Sequence, residues 1–561
     1  MGVPKFASWL IKKYNKENIV FQKEKLGLEP IDWFLIDSNC LFHPTCFRVL
    51  AEEDNKNEKV NFKSLQNKMI KAIINYMEKL IKYTDPQKGI FISIDGPVCY
   101  AKIKQQRQRR FRSVYDKVFF DKLKIKYNVK IPYYWNNSAI SPGTKFMNKL
   151  HNNIIEWLKD FKKQNKNIQI IYSSANVPGE GEHKLLDFIK ENNTKKLDLS
   201  YVTYGLDADL IFLMLVTKLD RVYLLREAQQ FESKALVDQL NFVSIKTMKI
   251  CIYDTFFKQI NDIKIDKIRI NNDFVFLCYL LGNDFLPHIL ALDITRNGIE
   301  YIISKYCETF TDKQNYILSN DTKSIDQDFI TLFFSKLAND ENMILINNFS
   351  KKRKPKYQGF DEYEKNMFKI ENILFNVTDP IGICKNSDYR ERYYKHYFDV
   401  DNDELEEFVK KLVKHYLIGM KWVTVYYFNK ISDWTWYYTY DYPPFISDIS
   451  KYLININDIR LDDNEPITPL EQLLVILPAK SKYLLPDCFG KLTNSIQSSL
   501  IYLYPTDFKI DFLYKHRYWE GIPLLPPLEI KLVRHIYNKY KDELTIEEQH
   551  RNRLDTNLIL Y

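Results

Sequence analysis

Short apolar runs alternate with longer amphipathic stretches through the first 300 residues of the chain. IDWFLID (31–37), IFISID (90–95), NIQIIY (167–172), LSYVTY (199–204) and RVYLL (221–225) read as strands. Each is rich in β-branched or aromatic residues and too short for a helix. Apolar positions three and four apart predict helices near 61–82, 100–128, 143–163 and 181–191. Nearly continuous apolar strands separated by helices predict an α/β fold whose parallel or mixed twisted sheet is covered on both faces. Ligands of such sheets gather at the carboxyl ends of the strands. Asp37 and Asp95 fall there.

The pattern changes further along. Residues 311–380 break the periodicity with DKQNY, SNDTKSIDQD, ANDEN and KKRKPK, and read as a variable connector. A second ordered, largely helical region follows over 381–530, rich in Tyr, Trp and Pro. The charged tail, 531–561, has a helical pattern and reads as a closing helix. The chain therefore divides into 1–310, 311–380, 381–530 and 531–561, with no internal repeat or low-complexity tract.

Composition narrows the class without naming a function. The chain has 561 residues, 45% hydrophobic and 27% charged, which is ordinary for a globular protein large enough for more than one folding unit. Its net charge of +9 permits a polyanionic partner but does not require one. The 39 Tyr and 36 Phe sit beside abundant Lys, Asn and Ile, so A/T-rich codon usage accounts for part of the aromatic excess. Eight scattered cysteines form no CxxC pair or Cys/His knuckle, which argues against a disulfide framework or zinc module. The start, MGVPKF, is not a secretory signal, and it has Phe6 where a myristoylation site needs Ser or Thr. No apolar run approaches the roughly 18 residues of a membrane span. A cytoplasmic monomer with no membrane partner is the expectation.

The carboxylates carry more. Asp37 and Asp95 end strands, Glu180 and Glu182 lie in PGEGEHK, Asp207 and Asp209 in YGLDADLI, and Asp284 in LLGNDFLPH. E-x-E and D-x-D pairs that open helices can both aim at one site, and Gly179 and Gly181 remove side chains that would crowd the approach. Any one of these alone is a helix cap or a turn former. Seven together in one cleft need cations, and oxygen ligands suit two Mg²⁺ or Mn²⁺ ions. Such a pair activates water and stabilises the leaving oxygen in phosphodiester hydrolysis.

A basic run, YAKIKQQRQRRFRS, follows Asp95 with no matching acids inside it. At 3.6 residues per turn, Lys102, Gln106, Arg109 and Arg110 share a helix face. A lysine, an amide and two guanidinium forks beside a metal site can hold a terminal phosphate. A solvated basic face is the usual reading of such a run, but its attachment to Asp95 by a short turn favours the phosphate.

These motifs resemble the Xrn family of 5′→3′ exoribonucleases. MGVPKF, LIDSNCLFH, SIDGP, AKIKQQRQRRFRS, SPGTKFM, VPGEGEHK, YGLDADLI and LLGNDFLPH are similar, in order, to the family's first conserved region. RYYKHYF, SDWTWYYTYDYPPF, LPAKSKYLLP and YPTDFKID with WEGIPLLP are similar to the second. The resemblance runs from residue 1 to about 530. It implies a PIN-like, flap-nuclease-like first domain with the second region packed against it. It also implies stepwise release of nucleoside 5′-monophosphates from single-stranded RNA bearing a 5′-monophosphate, which makes a decapping enzyme the partner upstream. The seven carboxylates would hold two Mg²⁺, and Lys102, Gln106, Arg109 and Arg110 the 5′-phosphate. His43 would stack on the first base, and Trp434, or else Trp436, would close the base stack. Departures are Val98-Cys99-Tyr100 where the family has Ala-Pro-Arg or similar, and Pro44 directly after His43. The long C-terminal domains of cytoplasmic members and the zinc knuckle of many nuclear members have no counterpart, which implies a compact catalytic core.

Two other readings compete. A flap-type 5′ nuclease acting on DNA shares the acidic centre but brings a helix-hairpin-helix element that is not found here. A catalytically inactive RNA-binding protein loses carboxylates, and all seven are present.

Overall fold

The side chains of Trp33–Asp37 and Gly89–Ser93 are all buried, because both faces of these strands are covered. Alternation sends Phe34, Ile36, Ile90 and Ile92 into the core on one face and Trp33, Leu35 and Phe91 into the core on the other. The structure, a computed structural model, describes residues 6–14, 19–21, 30–56, 61–195, 198–227, 239–260, 263–350, 355–356, 360–384 and 388–561. The opening residues 1–5, on which the myristoylation reading rests, lie outside these.

The strands are β1 (Val20–Phe21), β2 (Trp33–Asp37), β3 (Gly89–Ser93), β4 (Gln169–Ser173), β5 (Tyr201–Tyr204), β6 (Val222–Glu227), β7 (Leu240–Ser244), β8 (Ile510–Asp511), β9 (Ile522–Pro523) and β10 (Leu558–Leu560). Eight of them form one sheet in the order β1-β7-β6-β5-β2-β3-β4-β10, and β8 pairs with β9 apart from it. The five central strands, β2 to β6, run parallel, while β7, β1 and β10 join antiparallel at the flanks. The sheet is thus mixed. From β2 the chain moves outward through β3 and β4, then returns to β5 on the other side of β2. That reversal opens a crevice at the carboxyl end of β2, where Asp37 sits.

The five expected strands and four expected helices are all present, the helices at Phe62–Thr84, Tyr100–Lys126, Lys145–Gln164 and Gly181–Thr194. Asn61 and Thr144 cap two of them by accepting backbone N–H bonds. One boundary changes the site. β3 stops at Ser93, so Asp95 lies in the turn beyond the strand instead of ending it.

Three strands of the main sheet are additional to the sequence reading, all of them flanking: β1, β7 and β10, and the separate β8–β9 pair is additional as well. The tail forms the expected helix, Ile530–Tyr540, and then continues through Ile546–Asn552 to β10. There Leu558 pairs with Tyr172 and Leu560 with Ile170, so the end of the chain extends the first domain's sheet. The stretch read as a connector also holds a 24-residue helix, Gln327–Ser350, with Phe329, Phe333, Phe334 and Leu337 in the main core. The acidic ANDEN run obscured it. Within that run Glu341 is buried and accepts the backbone N–H groups of Ile446 and Ser447 at 2.7 and 2.8 Å. It therefore caps a helix of the second region.

One continuous core joins the sheet to the second region, running from Leu35 and Phe91 to Tyr416 and Trp422. A further cluster seats Tyr100, Ile103 and Phe111 of the basic helix against Leu470, Leu473 and Phe489. All eight cysteines are free thiols. Among the described residues, no helix is long and apolar enough to cross a membrane.

Candidate active site

Two loops bring Asp95 and the PGEGE segment together beside Asp37. Gly96 N–H donates to the Gly179 carbonyl at 2.9 Å and Gly179 N–H to the Pro97 carbonyl at 2.8 Å, which stitches the Asp95 turn to the PGEGE loop. Asp95 then accepts from Gly181 N–H at 2.7 Å and from Asn39 Nδ2 at 2.8 Å. A Cβ on residue 181 would lie 2.9 Å from Asp37 Oδ1 and 3.3 Å from Asp95 Oδ1. Backbone without a side chain is what lets this loop pass between the two carboxylates. Gly179 has a different reason: its φ is +104°, and a side chain there would meet only the flexible Lys184.

Glu180 is the N-cap residue and Glu182 lies in the first turn of Gly181–Thr194. Asp209 opens Asp209–Leu215, and Asp207 stands exposed just before it. The buried Arg226 guanidinium holds the Asp207 carbonyl at 2.5 Å. Asp284 lies within an Asx turn in which Asn283 Oδ1 accepts from Phe285 N–H and Leu286 N–H.

Charge is partly offset from within. Lys102 is buried, pairs with Glu180 and lies 2.7 Å from Asp284 Oδ2. Burial would depress this ammonium, but Asp284, Glu180, Glu182 and Asp209 outweigh it and hold the group well above the ordinary lysine range. Asp284 goes the opposite way from its neighbours, since Lys102 holds it below the usual range against the effect of burial. Burial, then Asp95 and Asp207, push Asp37 well up. Burial, then Asp209 and Glu180, do the same to Glu182. Asp209 is pushed up to about 6 by burial and then by Asp284. One oxygen of Glu182 is buried with no hydrogen-bond partner, at a typical cost of about 1–3 kcal/mol. Among the described residues no three carboxylates, imidazoles or thiols are drawn together as a ready ligand set. Lys102 supplies one positive charge, to Glu180 and Asp284.

The basic helix serves several neighbours. Arg110 donates to Ser141 Oγ at 2.8 Å, and burial, then the adjacent Arg109, lower it to about 9, so it stays charged near neutrality. Arg109 is exposed. Gln106 accepts from Gln472 Nε2 at 3.0 Å. The other face of the helix is structural. Arg107 donates to the Pro526 and Leu503 carbonyls, and Arg112 to those of Gly521 and Tyr518. The run also has acidic partners beyond its own span: Lys104 pairs with Asp441 at 2.9 Å and Arg112 with Asp116 at 2.7 Å.

His43 lies on Asn39–Asn55, half-buried within electrostatic reach of Arg110, Arg109 and Asp207. The two tryptophans separate. Trp434 lines a cavity of about 130 Å³ with Cys99, Gly179, Glu180 and His183. Its carbonyl accepts from Tyr100 N–H at 2.9 Å, which ties it to the start of the basic helix. Trp436, itself only partly buried, stacks on the buried Trp422 at 5.1 Å. Val98, Cys99 and Tyr100 are buried, with Val98 N–H on Gln472 and the Tyr100 hydroxyl on Glu471. These residues pack against the second region. Cavities of about 550 and 370 Å³ lie on the opposite flank of the basic helix and include none of the seven carboxylates.

Comparison with known proteins gives the family. Residues 1–228 match the XRN 5′-3′ exonuclease N-terminus, and residues 264–378 and 376–561 match the Xrn1 helical domain. The chain belongs to the XRN family of 5′-3′ exonucleases. Human 5′-3′ exoribonuclease 1 is 29% identical, over 99% of this chain and 35% of the human protein. The 5′-3′ exoribonuclease 2 homolog of Drosophila melanogaster is 26% identical, over 100% of this chain and 73% of its own length. The Arabidopsis thaliana 5′-3′ exoribonuclease 2 is 26% identical, over 98% and 68%. This XRN chain thus spans about a third of the human relative and about seven tenths of the other two.

Residues that the motifs did not single out also belong to the site. Asn39 orients Asp95, Ser141 anchors Arg110, and Arg226 holds the Asp207 loop. Tyr426 and Tyr427 reach it from the second region. Asn39 and Ser141 were visible within LIDSNCLFH and SPGTKFM. The tyrosines lie more than 200 residues from the carboxylates they touch, and only the fold joins them.

Proposed function

We propose that this chain is a metal-dependent 5′→3′ exoribonuclease that degrades single-stranded RNA carrying a 5′-monophosphate to nucleoside 5′-monophosphates. The observation that carries the reading is one strand–turn–helix unit: β3 leads to Asp95, and Asp95 leads by a short turn to the helix bearing Lys102, Arg109 and Arg110. Cleavage and recognition of the terminus are thereby held at a fixed separation. The family relationship over the whole chain supports the same reading.

The donor set suits Mg²⁺, or Mn²⁺, because it is all carboxylate, mutually repelling, and includes a buried, unpartnered Glu182 oxygen. Asp37, Asp95, Glu180, Glu182, Asp207, Asp209 and Asp284 are the residues that would hold two ions. When bound, such ions activate water and stabilise the departing oxygen of a phosphodiester. Arg109 and Arg110 are proposed to bind the terminal phosphate with Gln106, and Lys102 to share it from the carboxylate side. Ser141 keeps the Arg110 fork oriented. By the family resemblance a cap or triphosphate would be too bulky for the 5′-phosphate site, so a decapping reaction would act first. Trp434 is the proposed second stacking surface, since it lines the cavity that Glu180 also lines. Trp436 stacks on Trp422 and is not among the residues lining that cavity.

The test is digestion of 5′-phosphorylated single-stranded RNA beside a 5′-flap DNA of the same sequence, in Mg²⁺. Nucleoside 5′-monophosphates from the RNA are expected, with the flap left intact. Preference for the flap would favour the DNA nuclease reading.

His43 gives a pH prediction. Burial, then Arg110 and Arg109, push its imidazole down to about 4, so the ring is neutral at pH 7. A histidine depressed in the fold contributes stability that is complete above its ordinary value of 6.5 and is lost as the pH falls through about 4. Its stacking role thus needs no proton. His43→Phe is expected to keep RNA turnover within about threefold and to leave the pH profile between roughly 6 and 8 unchanged. His43→Ala is expected to lose roughly 1–3 kcal/mol of base stacking. A pH step between roughly 6 and 8 that the wild type shows and the Phe variant loses would refute a neutral stacking role.

A further inference from the structure

The helix Leu405–Phe428 of the second region ends beside the acidic cleft of the first. Tyr426 donates its hydroxyl to Glu180 Oε1, and Tyr427 donates to Asp209 Oδ1 at 3.0 Å. Consecutive helical side chains diverge by about 100°. One turn of helix therefore serves two carboxylates on different elements, the PGEGE loop and the start of Asp209–Leu215.

Both phenols are buried and their rings are fixed by packing. Tyr426 stacks on Trp422 at 5.1 Å and 20°, and Phe285 and His183 pack on it with centroids 4.6 and 3.8 Å away. Trp422 is backed in turn by Trp436 at 5.1 Å, and its indole N–H donates to the Asp433 carbonyl at 2.8 Å. Tyr427 stacks on Tyr279 at 5.1 Å and 25°. A ring stack beginning in the SDWTW segment thus ends on Glu180.

We propose that Tyr426 and Tyr427 are positioning residues for the acidic centre, each holding one oxygen of its carboxylate and so fixing how that carboxylate is presented to the cleft. This rests on the exoribonuclease reading, and it assigns the second region a direct part in assembling the first region's site. Glu180 then has Tyr426 on Oε1 and Lys102 on Oε2. Such outer partners fix ligand orientation, and their loss typically costs about 10–100-fold in metal affinity or activity.

Tyr426→Phe and Tyr427→Phe remove a hydroxyl and keep the ring, so the packing survives. The test pairs two readouts on the full chain: Mn²⁺ binding to the RNA-free protein by calorimetry, and kcat with KM on 5′-phosphorylated RNA. Each variant is expected to bind Mn²⁺ about tenfold more weakly and to lose about tenfold in kcat, with KM and thermal midpoint close to wild type. The double variant is expected to lose more than either. A purely structural role would instead lower the thermal midpoint and leave Mn²⁺ affinity unchanged. Unchanged Mn²⁺ affinity in both variants would overturn the proposal, as would a wild type that binds no Mn²⁺. A wild type that binds Mn²⁺ without digesting RNA would count against the nuclease reading alone, and the binding comparison would still decide the tyrosines.

Discussion

Asp207→Ala is expected to abolish Mg²⁺-dependent RNA decay in a protein that remains folded. Asp207 stands exposed at the mouth of the cleft, held through its carbonyl by Arg226, so truncating its side chain opens no cavity. It also contributes to the repulsion that raises Asp37 and Glu182, and its loss relieves that repulsion in the metal-free protein. Stability should stay within about 0.5 kcal/mol of wild type, as for other exposed positions. Activity should not. A bound cation contributes several kcal/mol to the transition state, and roughly 4 kcal/mol lost is a fall of about 10³-fold. Single-turnover digestion of 5′-phosphorylated RNA with a parallel thermal melt measures both. Undiminished turnover would remove Asp207 from the metal-ligand set.

The second large effect concerns the arginines. Arg109→Ala with Arg110→Ala is expected to erase the preference for a 5′-monophosphate over a 5′-hydroxyl and to leave slow, end-insensitive decay. Hydrogen bonds to charged groups contribute about 1.5–3 kcal/mol each. Loss of two forks should therefore lower selectivity by about 10²-fold or more. Arg110→Lys keeps the charge but not the planar fork that Ser141 orients, so an intermediate loss of about tenfold is expected. The ratio of kcat/KM on the two RNAs is the measurement. An unchanged ratio in the double variant would place the 5′-end reader elsewhere on the protein.

Most of what the chain shows locally was legible. Apolar runs gave the central strands because burial on both faces leaves no polar position. The E-x-E and D-x-D pairs were found at helix starts because glycine and a carboxylate are what such starts use. Long-range features were hidden. β10 is three residues in a charged tail, and its strand character comes from pairing with β4. The Gln327–Ser350 helix was obscured because Glu341, an acid in a polar run, is buried as a cap for a helix more than 100 residues away. The basic run looked uniform, yet its arginines divide between Arg110, which faces Ser141, and Arg107 and Arg112, which hold backbone carbonyls of the C-terminal part. Residue type does not separate them, and position around the helix does. Lys102 was assigned to phosphate on helix geometry, while its ammonium lies among the carboxylates. That location joins the two halves of the site more closely than spacing suggested.

Coupling between the carboxylate cleft and the basic helix is the core of the account, and the 5′ end of the RNA probes it most directly. One single-stranded RNA sequence would be prepared with a 5′-monophosphate, hydroxyl, triphosphate or cap and digested in Mg²⁺ by the wild-type chain. The account predicts rapid decay of the monophosphate form to nucleoside 5′-monophosphates, with the other three slower by about 10²-fold or more. Equal decay of all four ends would contradict it.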